Sequence, residues 1–577
     1  MISQLSWKVG GQQGEGIDST GEIFAVALNR LGYHLFGYRH FSSRIKGGHT
    51  NYKIRVTTES MRAISDDLDI LVAFDQETID INSHELRNGG VIIADSKFNP
   101  VVNKDNVRFF SVPLTEIAQN MGTSLMKNMV ALGATSALLG LSSDIFQEIV
   151  NEMFSKKGQE VVSKNMESFN QGADYINKET NGPLEDFLLA KADGKKRLFM
   201  TGNDAVGFGA MSAGVRFMPA YPITPASEVM EFLIKNLPKV GGAVIQTEDE
   251  IAAVTMAIGA SYGGARSMTS TSGPGLSLMQ EAIGLSGITE TPLVIIDVQR
   301  GGPSTGLPTK NEQSDFNAAL YGSHGEIPKI VIAPNSVEDA FYDTVEAFNL
   351  ADKYQCPVIV LTDLALGMGK QTVEPFDYDR VKIDRGKYLG NEELPPTETS
   401  MFKRYLFTED DISPRVVPGQ KYGIHHVTGV EHAEDGRPSE NTANRKKMMD
   451  KRLNKIENVT FDRPIEMKAP HENADLLVVG IGSTQGVISE AIGRLEKDGL
   501  KVNQAHIRLV SPFPKSEVKE LTDRAKKVIV VENNGTGQIT NLIKLETGSG
   551  EKVKSLLKYD GNPFLPSEIY NGCKGLI

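Results

Sequence analysis

Short apolar runs of strand length recur along the chain, and most end in glycine, proline or hydroxyl residues. Helical patterns lie between them, as in residues 17–32, where apolar side chains recur at helical spacing and Gly32 predicts the helix end. This alternation predicts an α/β fold. In residues 196–375 the pattern suits a parallel sheet whose loops gather at its carboxyl edge, where such sheets bind ligands. The runs include DILVAFD, GGVIIAD, VRFFSVP, TPLVIIDV, KIVIAP, CPVIVLTD, ADLLVVGI and KKVIVVEN.

At 577 residues the chain is too long for one hydrophobic core. Changes of composition divide it into four predicted segments. Residues 1–185 and 196–375 are two α/β domains, separated by a polar stretch that contains lysine and glycine. Residues 376–467 are charged and contain prolines, and this connector is long enough that it is either ordered against the domains or functional itself. Residues 468–577 form a last compact α/β domain.

The composition excludes several classes of protein. A net charge of −12 argues against nucleic acid or an anionic membrane as the main partner, although a local basic pocket stays open. The two cysteines, Cys356 and Cys573, cannot form a disulfide framework, a four-cysteine zinc site or an iron–sulfur cluster by themselves. The sequence begins without a signal-peptide pattern, and no run reaches the roughly 18 apolar residues of a membrane span. We therefore expect a soluble cytoplasmic protein.

Two stretches of the first segment are candidates for anion contact. GGQQGEGID lies at a predicted strand-to-helix turn, where backbone N–H groups and a helix N-terminus meet. It lacks the third glycine of the dinucleotide fingerprint, because Ser19 stands there, so a tight turn and an anion site both fit. In RHFSSRIKGGHTN, Arg39, Arg44 and Lys46 fit either a solvated basic loop or a contact with an anionic substrate or cofactor.

The stretch MPAYPITPASEVMEFL combines a strand end with an amphipathic helix. Thr224 is a good N-cap and Pro225 suits the first helical position, so this pair predicts the helix start. Pro222 biases Tyr221 toward an extended backbone. A helix start with a fixed hydroxyl at the carboxyl edge of a sheet is also a suitable carboxylate receptor, so the corner fits a structural and a functional interpretation.

The stretch TEDEIAAVTMAIG lies at the next strand-to-helix junction. Thr247 and Glu250 have the spacing of a capping box, and Asp249 favours the helix dipole. Glu248 then has no structural role, and a carboxylate at the end of a strand can reach a cleft beside the sheet. Glu248 is therefore the predicted catalytic residue.

Two further loops of the second segment are rich in glycine and hydroxyl residues. STSGPGLSLM brings backbone close to a ligand or forms a tight turn only. QRGGPSTGLPTK follows the strand LVIIDV and places Arg300 where that strand ends, with Ser304, Thr305 and Thr309 behind it. An arginine at this point is a plausible bidentate ligand for a carboxylate.

Three histidines of the connector, His425, His426 and His432, do not have metal-ligand spacing, and no cysteine is near them. We predict no metal site here. A flexible loop fits better, and the connector is a candidate lid over the site.

The motifs YPITP, QTEDEIAA, TSGPG and QRGGPSTGLPT, in this order, resemble the α subunit of the 2-oxoacid:ferredoxin oxidoreductases, which are thiamine diphosphate enzymes. GGQQGEGI and SSRIKGGHT resemble the γ subunit of this family, fused in front, and the last segment looks like its transketolase-C-terminal-like domain. The resemblance covers essentially the whole chain and is closest to the 2-oxoglutarate branch. It implies a γ-type domain, a pyrimidine-binding domain and a transketolase-C-terminal-like domain.

The resemblance also implies the site. Glu248 would bond the pyrimidine N1′ of thiamine diphosphate and favour the imino tautomer whose nitrogen takes the C2 proton. Thr224, Arg300 and Thr309 would hold the carboxylate end of a 2-oxoacid. Coenzyme A would take the acyl group, while the electrons pass through an iron–sulfur cluster to ferredoxin. The remaining implied contacts are Tyr221, Pro222, Ile223, Ser272 and Gly273 for the cofactor and Arg44 and Lys46 for the substrate.

Two elements of the family's chemistry are missing from the sequence. The diphosphate and its Mg²⁺ are normally held by a GDG motif followed by asparagine, but KYDGNPF near Asp560 lacks the first glycine. There is also no CxxC motif for a [4Fe–4S] cluster. A separate β subunit, in an (αβ)₂-type assembly, would supply the diphosphate, Mg²⁺ and cluster sites.

The expected substrate is 2-oxoglutarate, whose second carboxylate suits Arg39, Arg44 and Lys46. Pyruvate or a branched-chain 2-oxoacid would use the same Arg300. A non-oxidative thiamine enzyme would need a GDG-type module in this chain. A non-catalytic protein that binds a nucleotide or coenzyme at GGQQGEG would leave YPITP, Glu248 and QRGGPSTGLPT unexplained.

Overall fold

The computed structural model describes residues 1–41, 47–394 and 401–577. These residues fall into two compact units. Unit 1 comprises Met1–Met200 with Gly369–Pro375 and Leu565–Ser567, and unit 2 comprises Thr201–Met368, Phe376–Phe564 and Glu568–Ile577. Both combine helices with sheets, which confirms the predicted multi-domain α/β fold class. Within the described ranges, no helix is both long and apolar enough to cross a membrane.

Unit 1 is built on a mixed sheet that has eight strands within the described residues, in the order β6-β5-β4-β1-β3-β2-β14-β7. The pairs β1–β4, β4–β5 and β5–β6 are parallel, whereas β1–β3, β2–β3 and β2–β14 are antiparallel. The strands are β1 (Gln4–Gln12), β2 (His34–His40), β3 (His49–Thr57), β4 (Leu68–Ala73), β5 (Leu86–Asp95), β6 (Arg108–Val112), β7 (Leu198–Thr201) and β14 (Lys370–Val373).

The helices of unit 1 bury their apolar faces against this sheet and against one another. Trp7 of β1 is fully buried and stacks on Phe24 with ring centroids 4.4 Å apart. The long helix 159–180 packs on the apolar helix 127–139 around Phe169, which is buried as well. The helices are α1 (Ile17–Arg30), α2 (Gln76–Asn82), α3 (Leu114–Asn120), α4 (Lys127–Leu139), α5 (Ser143–Phe154) and α6 (Gln159–Thr180).

Unit 2 contains two five-stranded sheets and a two-stranded sheet among its described residues. In the first, ordered β10-β11-β13-β12-β18, only β18 is antiparallel to its neighbour. The second is ordered β15-β17-β16-β19-β20, and β8 pairs with β9. The strands are β8 (Phe217–Ala220), β9 (Ala243–Gln246), β10 (Met268–Thr271), β11 (Leu293–Gln299), β12 (Ile330–Ile332), β13 (Pro357–Asp363), β15 (Ile465–Lys468), β16 (Ala474–Ile481), β17 (Val502–Ile507), β18 (Leu509–Ser511), β19 (Ala525–Glu532) and β20 (Val553–Leu557).

Helices cover both faces of these parallel strands, so the strands are apolar throughout, as in Leu293–Val298, where all the aliphatic side chains are buried. The helices are α7 (Gly202–Ser212), α8 (Ser227–Asn236), α9 (Glu250–Tyr262), α10 (Gly273–Ile288), α11 (Phe316–Tyr321), α12 (Val337–Tyr354), α13 (Leu364–Met368), α14 (Thr442–Asn454), α15 (Thr484–Lys497), α16 (Lys515–Asp523), α17 (Gln538–Thr547) and α18 (Pro566–Leu576).

The structure departs from the sequence expectations at two places in unit 1. The hairpin of β2 and β3, two strands that were not among the predicted elements, makes the sheet mixed. Residues 198–201, expected at the start of the second domain, form edge strand β7 of this sheet, because β14 offers them a pairing edge. The preceding stretch is held too, since Arg197 pairs with Asp193 and Glu374. The division into four segments stays a prediction.

The described part of the connector, 376–394 and 401–467, belongs to unit 2 and is held to the rest of it by buried ion pairs. Lys451 and Lys455 donate to Glu290 at 2.6 and 3.0 Å, and all three side chains are at most 1% exposed. Arg415 donates to the equally buried Asp352 at 2.6 Å. Separating these charges would be costly, which argues against a lid movement of this part of the connector.

Candidate active site

The candidate site lies at the carboxyl edge of the sheet β10-β11-β13-β12, within unit 2. Strand β10 ends at Thr271 and β11 ends at Gln299, in parallel register. Ser272 and Arg300, the next residues, therefore leave the sheet at the same edge. This is the position predicted for both loops.

The corner 221–226 is fixed by side chains that come from three other elements. The backbone carbonyl of Thr224 accepts a hydrogen bond from Arg300 Nη1 at 2.7 Å. The carbonyl of Pro225 accepts one from Asn203 Nδ2 at 2.8 Å, and the carbonyl of Ala226 accepts one from Ser270 Oγ at 3.3 Å. Three successive carbonyls are thus satisfied, so the corner presents a fixed surface.

The predicted helix start at this corner was wrong by two residues. Helix α8 begins at Ser227, with Ala226 at the N-cap and no side-chain cap among the described residues. Thr224 and Pro225 instead belong to a turn that Ala226 N–H closes onto the carbonyl of Ile223 at 2.8 Å. The Thr224 hydroxyl is therefore not used to cap the helix, and Thr224 is half-buried.

Arg300 is 6% exposed and is held through its terminal nitrogens. Besides Thr224, it donates to the carbonyl of Thr305 at 3.2 Å, while its Nε has no partner among the described residues. Burial lowers the pKa of Arg300, and the nearby Asp315 opposes that effect. The guanidinium is thus fixed in place with one N–H still unsatisfied.

The loop that follows Arg300 folds back on itself. Gly301 N–H donates to the carbonyl of Lys310 at 3.0 Å, and Leu307 N–H donates to the carbonyl of Gly301 at 2.8 Å. Thr309 lies half-buried in this closed loop. The structure therefore carries Arg300 and Thr309 on one loop, at the edge where Thr224 also lies.

Ser272 is the N-cap of α10, the sixteen-residue helix that follows β10. Its Oγ is buried and has no hydrogen-bond partner in the described part of the chain. A Cβ on the next residue, Gly273, would lie 2.7 Å from both carboxylate oxygens of Asp315, so a larger residue does not fit there. The helix start thus offers an unused hydroxyl next to a carboxyl group.

The two glutamates of the TEDE motif lie in different environments. The predicted capping box was wrong, because Asp249 is the N-cap of α9 and accepts from Ala252 N–H at 2.7 Å. Glu248 is exposed, two residues beyond the end of β9. Glu250, in the first turn of α9, is only 6% exposed.

Glu250 points toward the end of β10. A Cβ on Gly275 would lie 2.9 Å from Glu250 Oε1 and 1.9 Å from Thr271 Oγ1, so only glycine leaves room for these groups. The carboxylate of Glu250 accepts no hydrogen bond from any described residue. Glu250 was expected to take part in a capping box, but Asp249 is the N-cap of α9. The burial of Glu250 follows from the position at which α9 begins.

A second carboxyl group at this edge was not predicted. Asp297, on β11, is fully buried, and neither of its oxygens has a donor among the described residues. The acidic residue inside the apolar run LVIIDV was a usable signal, because a buried strand rarely carries an unpaired carboxylate.

The remaining predicted contacts differ in accessibility. Tyr221 is 37% exposed, Pro222 is exposed and Ile223 is half-buried. Arg44 and Lys46 lie outside the described residues. Arg39 belongs to unit 1 and lies 3.9 Å from Asp18.

The three histidines of the connector differ in burial, since His432 is buried, His425 is half-buried and His426 is exposed. His432 is fully buried against Tyr405, with ring centroids 4.0 Å apart, and it contacts the carbonyl of Val430. Burial lowers the pKa of His425 and of His432. In the described ranges, no three acidic, histidine or cysteine side chains are grouped to hold a metal ion.

Three family descriptions match successive parts of the chain. Residues 6–175 match the pyruvate ferredoxin/flavodoxin oxidoreductase domain. Residues 208–451 match the thiamine diphosphate-binding domain of pyruvate flavodoxin/ferredoxin oxidoreductases. This range contains the corner 221–226 and the residues Glu248, Glu250, Ser272, Asp297, Arg300 and Thr309. Residues 474–569 match core domain II of pyruvate:ferredoxin oxidoreductase.

Full-length relatives agree with these matches. The α subunit of the 2-oxoacid:ferredoxin oxidoreductase of a Sulfolobus species is 35% identical over 98% of this chain and 96% of its own. The chain belongs to the 2-oxoacid:ferredoxin oxidoreductase family. Within that family it is an α subunit, as the resemblance of its motifs predicted.

Two further relatives of this oxidoreductase carry a more specific name. The structure of 2-oxoglutarate:ferredoxin oxidoreductase from Magnetococcus marinus, with 2-oxoglutarate, coenzyme A and succinyl-CoA bound, is 38% identical. It covers 100% of both chains with a TM-score of 0.92. The 2-oxoglutarate synthase subunit KorA of Methanocaldococcus jannaschii is 39% identical over 65% of this chain and 99% of its own.

Proposed function

We propose that this α subunit, completed by a β subunit, catalyses the oxidative decarboxylation of a 2-oxoacid with coenzyme A, giving an acyl-CoA, CO₂ and reduced ferredoxin. One observation carries the proposal. Arg300, which is buried and keeps an unsatisfied N–H, is hydrogen bonded to the Thr224 carbonyl at the sheet edge that also bears Glu250. We propose further that the enzyme acts in the cytoplasm as an (αβ)₂ assembly.

The residues at this edge fit thiamine diphosphate. The Ser272 hydroxyl is buried without a partner in the described residues, and Glu250 has a carboxylate that no described donor uses. Glycine at positions 273 and 275 leaves room for the side chains of Asp315, Thr271 and Glu250, which pack against these two residues. Tyr221, Pro222 and Ile223 would line the cofactor together with Ser272 and Gly273.

The protein's own groups then have separate tasks. When bound, thiamine diphosphate supplies the carbon nucleophile and the electron sink. A glutamate holds the proton at the pyrimidine N1′, and the burial of Glu250 favours it over the expected Glu248. Arg300 binds the substrate carboxylate through a charge-assisted hydrogen bond, with the hydroxyls of Thr224 and Thr309 beside it.

The β subunit would supply the remaining groups. The diphosphate and Mg²⁺ need a motif that this sequence lacks, and the two buried cysteines, Cys356 and Cys573, cannot provide four thiolates for a [4Fe–4S] cluster. This division predicts that the α subunit alone is inactive.

The proposed substrate is 2-oxoglutarate, giving succinyl-CoA in the manner of the tricarboxylic acid cycle. The support is the similarity over the whole chain to the Magnetococcus marinus enzyme and the names of the KorA relatives. The second carboxylate would need cationic partners, for which Arg44 and Lys46 remain proposed.

The test is a viologen-reduction assay of the assembled αβ enzyme with 2-oxoglutarate, pyruvate and branched-chain 2-oxoacids, each with and without coenzyme A. We expect the highest kcat/KM for 2-oxoglutarate and dependence on coenzyme A. A higher kcat/KM for pyruvate or a branched-chain 2-oxoacid would mean that 2-oxoglutarate is not the preferred substrate, while the proposed reaction would stand. Appreciable 2-oxoacid decarboxylation by the α subunit alone would contradict the shared site.

A further inference from the structure

The loop that carries Arg300 and Thr309, residues 300–315 (the arginine loop), contacts the second five-stranded sheet of unit 2 at its far end. Strands β19 and β20 of that sheet are parallel neighbours, so the turns that follow them leave the sheet at the same edge. These turns are ENNGTGQ (532–538) and KYDGNPF (558–564). Both are hydrogen bonded to the arginine loop.

Gln313 is the centre of this contact. It is fully buried, its backbone N–H donates to the carbonyl of Asn533 at 2.7 Å, and its Oε1 accepts from the N–H of Asn533 at 3.1 Å. Its carbonyl accepts from Asn534 Nδ2 at 3.1 Å. Its Nε2 donates to Asp363 Oδ2, at the end of β13, at 2.8 Å and to the carbonyl of Ile481, at the end of β16, at 3.0 Å. Every polar group of Gln313 therefore joins the arginine loop to the ends of the two sheets.

Hydrogen bonds on both sides of this glutamine extend the contact. Asn311 N–H donates to the carbonyl of Gly561 at 3.0 Å. Gln538 Nε2 donates to the carbonyl of Ser314 at 2.8 Å, and Gln538 Oε1 accepts from the N–H of Asn317 at 2.9 Å. The two turns therefore hold the end of the arginine loop and the start of α11.

The held end of the arginine loop is bonded to the residues on both sides of Arg300. Gly302 N–H donates to the carboxylate of Glu312 at 3.0 Å, and Asp315 N–H donates to Gln299 Oε1 at 3.0 Å. A shift of the held end would therefore displace the guanidinium as well. A displacement of about 1 Å is enough to weaken the action of a group that must meet a substrate.

We propose that the turns 532–538 and 558–564 position the arginine loop, so that the second sheet supports binding of the 2-oxoacid carboxylate without contacting it. Gln313 and Gln538 are then positioning residues, which act through Arg300. The inference rests on the proposed role of Arg300 in the substrate site. It also gives KYDGNPF, which lacks the first glycine of a GDG motif, a task within this subunit.

Gln538→Ala tests the inference in the assembled αβ enzyme. Replacing the fully buried Gln313 endangers the fold, whereas Gln538 is only half-buried. In the viologen-reduction assay, KM for the preferred 2-oxoacid should rise about three- to tenfold, with a smaller change in kcat and an unchanged KM for coenzyme A.

Asn541→Ala is the matched control for this change. It removes a side-chain hydrogen bond from the same helix, α17, to the carbonyl of Thr536, and that bond does not reach the arginine loop. Both kinetic constants should equal those of wild type. An unchanged KM for the 2-oxoacid in Gln538→Ala, or an equal rise in both variants, overturns the inference.

Hydrogen exchange of the same αβ enzyme, followed by mass spectrometry, measures the arginine loop directly. Its backbone N–H groups, such as those of Leu307 and Gln313, are hydrogen bonded, so they should exchange slowly in wild type. They should exchange faster in Gln538→Ala and at the wild-type rate in Asn541→Ala. Faster exchange confined to residues 525–547 in Gln538→Ala would mean that Gln538 stabilises only its own sheet, which overturns the inference.

Arg300→Lys separates this inference from the proposed function. If Arg300→Lys leaves KM unchanged for every 2-oxoacid, the proposed role of Arg300 is wrong and the inference falls with it. If Arg300→Lys raises KM and Gln538→Ala does not, Arg300 keeps its role and only the positioning by the two turns is wrong.

The double variant completes the cycle. Because both changes act through one guanidinium, adding Gln538→Ala to Arg300→Lys should raise KM little further. If Gln538→Ala raises KM by the same factor in both backgrounds, the two residues act independently and the inference is overturned.

Discussion

Buried and half-buried carboxylates occur in two kinds of surroundings in this protein. Glu290 in unit 2 and Glu85 in unit 1 each receive a lysine ammonium on each oxygen, from Lys451 and Lys455 in one case and from Lys8 and Lys53 in the other. At the carboxyl edge of β10 and β11, Asp297 and Glu250 have no such donors among the described residues. Where the chain supplies the countercharge, removing one partner of the pair destabilises the fold. A buried carboxyl group without a donor instead marks a place where a ligand or a proton can complete the arrangement.

The sharpest test of this contrast is Glu250→Gln, which removes the charge and keeps the volume beside Gly275. Turnover of the αβ enzyme should fall by about 10²–10⁴-fold, the usual contribution of a proton-handling group. Glu248→Gln, an exposed change two residues away, should cost a few-fold at most. Viologen reduction measures both.

The melting temperatures of both variants show whether a loss of activity results from unfolding. A large loss of activity in Glu248→Gln with normal activity in Glu250→Gln would restore the assignment expected from the sequence. It would also show that burial is a poor guide at this edge.

Glu290→Gln tests the other side of the comparison. It leaves Lys451 and Lys455, at most 1% exposed, without a countercharge, and removing one partner of a buried pair costs about 3–5 kcal/mol. The melting temperature should therefore fall by several degrees, while activity per folded molecule is kept. Lys446→Ala, which breaks the exposed Lys446–Asp450 pair on the same helix, should change stability by about 0.5 kcal/mol at most.

If Glu290→Gln keeps its melting temperature but loses activity, then Glu290, Lys451 and Lys455 contribute to the active site and not to the stability of the fold. The connector would then have to be considered as a catalytic element.

Because Glu85 is paired with Lys8 and Lys53, the free energy of unfolding should depend on pH. Its burial alone would raise its pKa, but Lys8 and Lys53 outweigh that and lower the pKa of Glu85 to about 2. A carboxylate with a depressed folded pKa stabilises the fold above pH 4.5, and this stabilisation is lost as the pH falls from 4.5 toward 2. The loss is at most about 3 kcal/mol.

Urea unfolding of the full chain, followed by the fluorescence of its single tryptophan, Trp7, measures this loss in unit 1. Glu85→Gln should be less stable at pH 6 and should lose less stability on acidification than wild type. Parallel pH profiles for the two proteins would show that Glu85 is not the group that titrates.

The sequence predicted the parts of the fold that depend on apolar runs. Strand β11 with Arg300 at its end, and helix α1 with Phe24 and Leu28 buried, follow from patterns read over a few residues. The hairpin of β2 and β3 did not, because antiparallel pairing depends on which edge a strand meets, and that is decided by contacts distant in sequence.

The sequence predicted which loops form the candidate site but not the contacts that their side chains make. Thr224 and Arg300 were correctly placed at one edge, yet their contact runs through the carbonyl of Thr224, which no pattern specifies. Glu248 and Glu250 differ by two positions, and their exposures depend on where α9 begins. Asp249 is the N-cap of α9 because its side chain, and not that of Thr247, accepts a hydrogen bond from the N–H of Ala252.

Arg300→Lys has the smallest expected effect of these changes. It tests whether the guanidinium of Arg300 binds the carboxylate of the substrate. Lysine keeps the charge but cannot reach the carbonyls of Thr224 and Thr305 and also bind a carboxylate through a planar fork. KM for the 2-oxoacid should rise about tenfold, equivalent to about 1.4 kcal/mol, with a smaller change in kcat and an unchanged KM for coenzyme A. An unchanged KM for every 2-oxoacid would mean that Arg300 only holds the corner at Thr224, and that another cation receives the substrate.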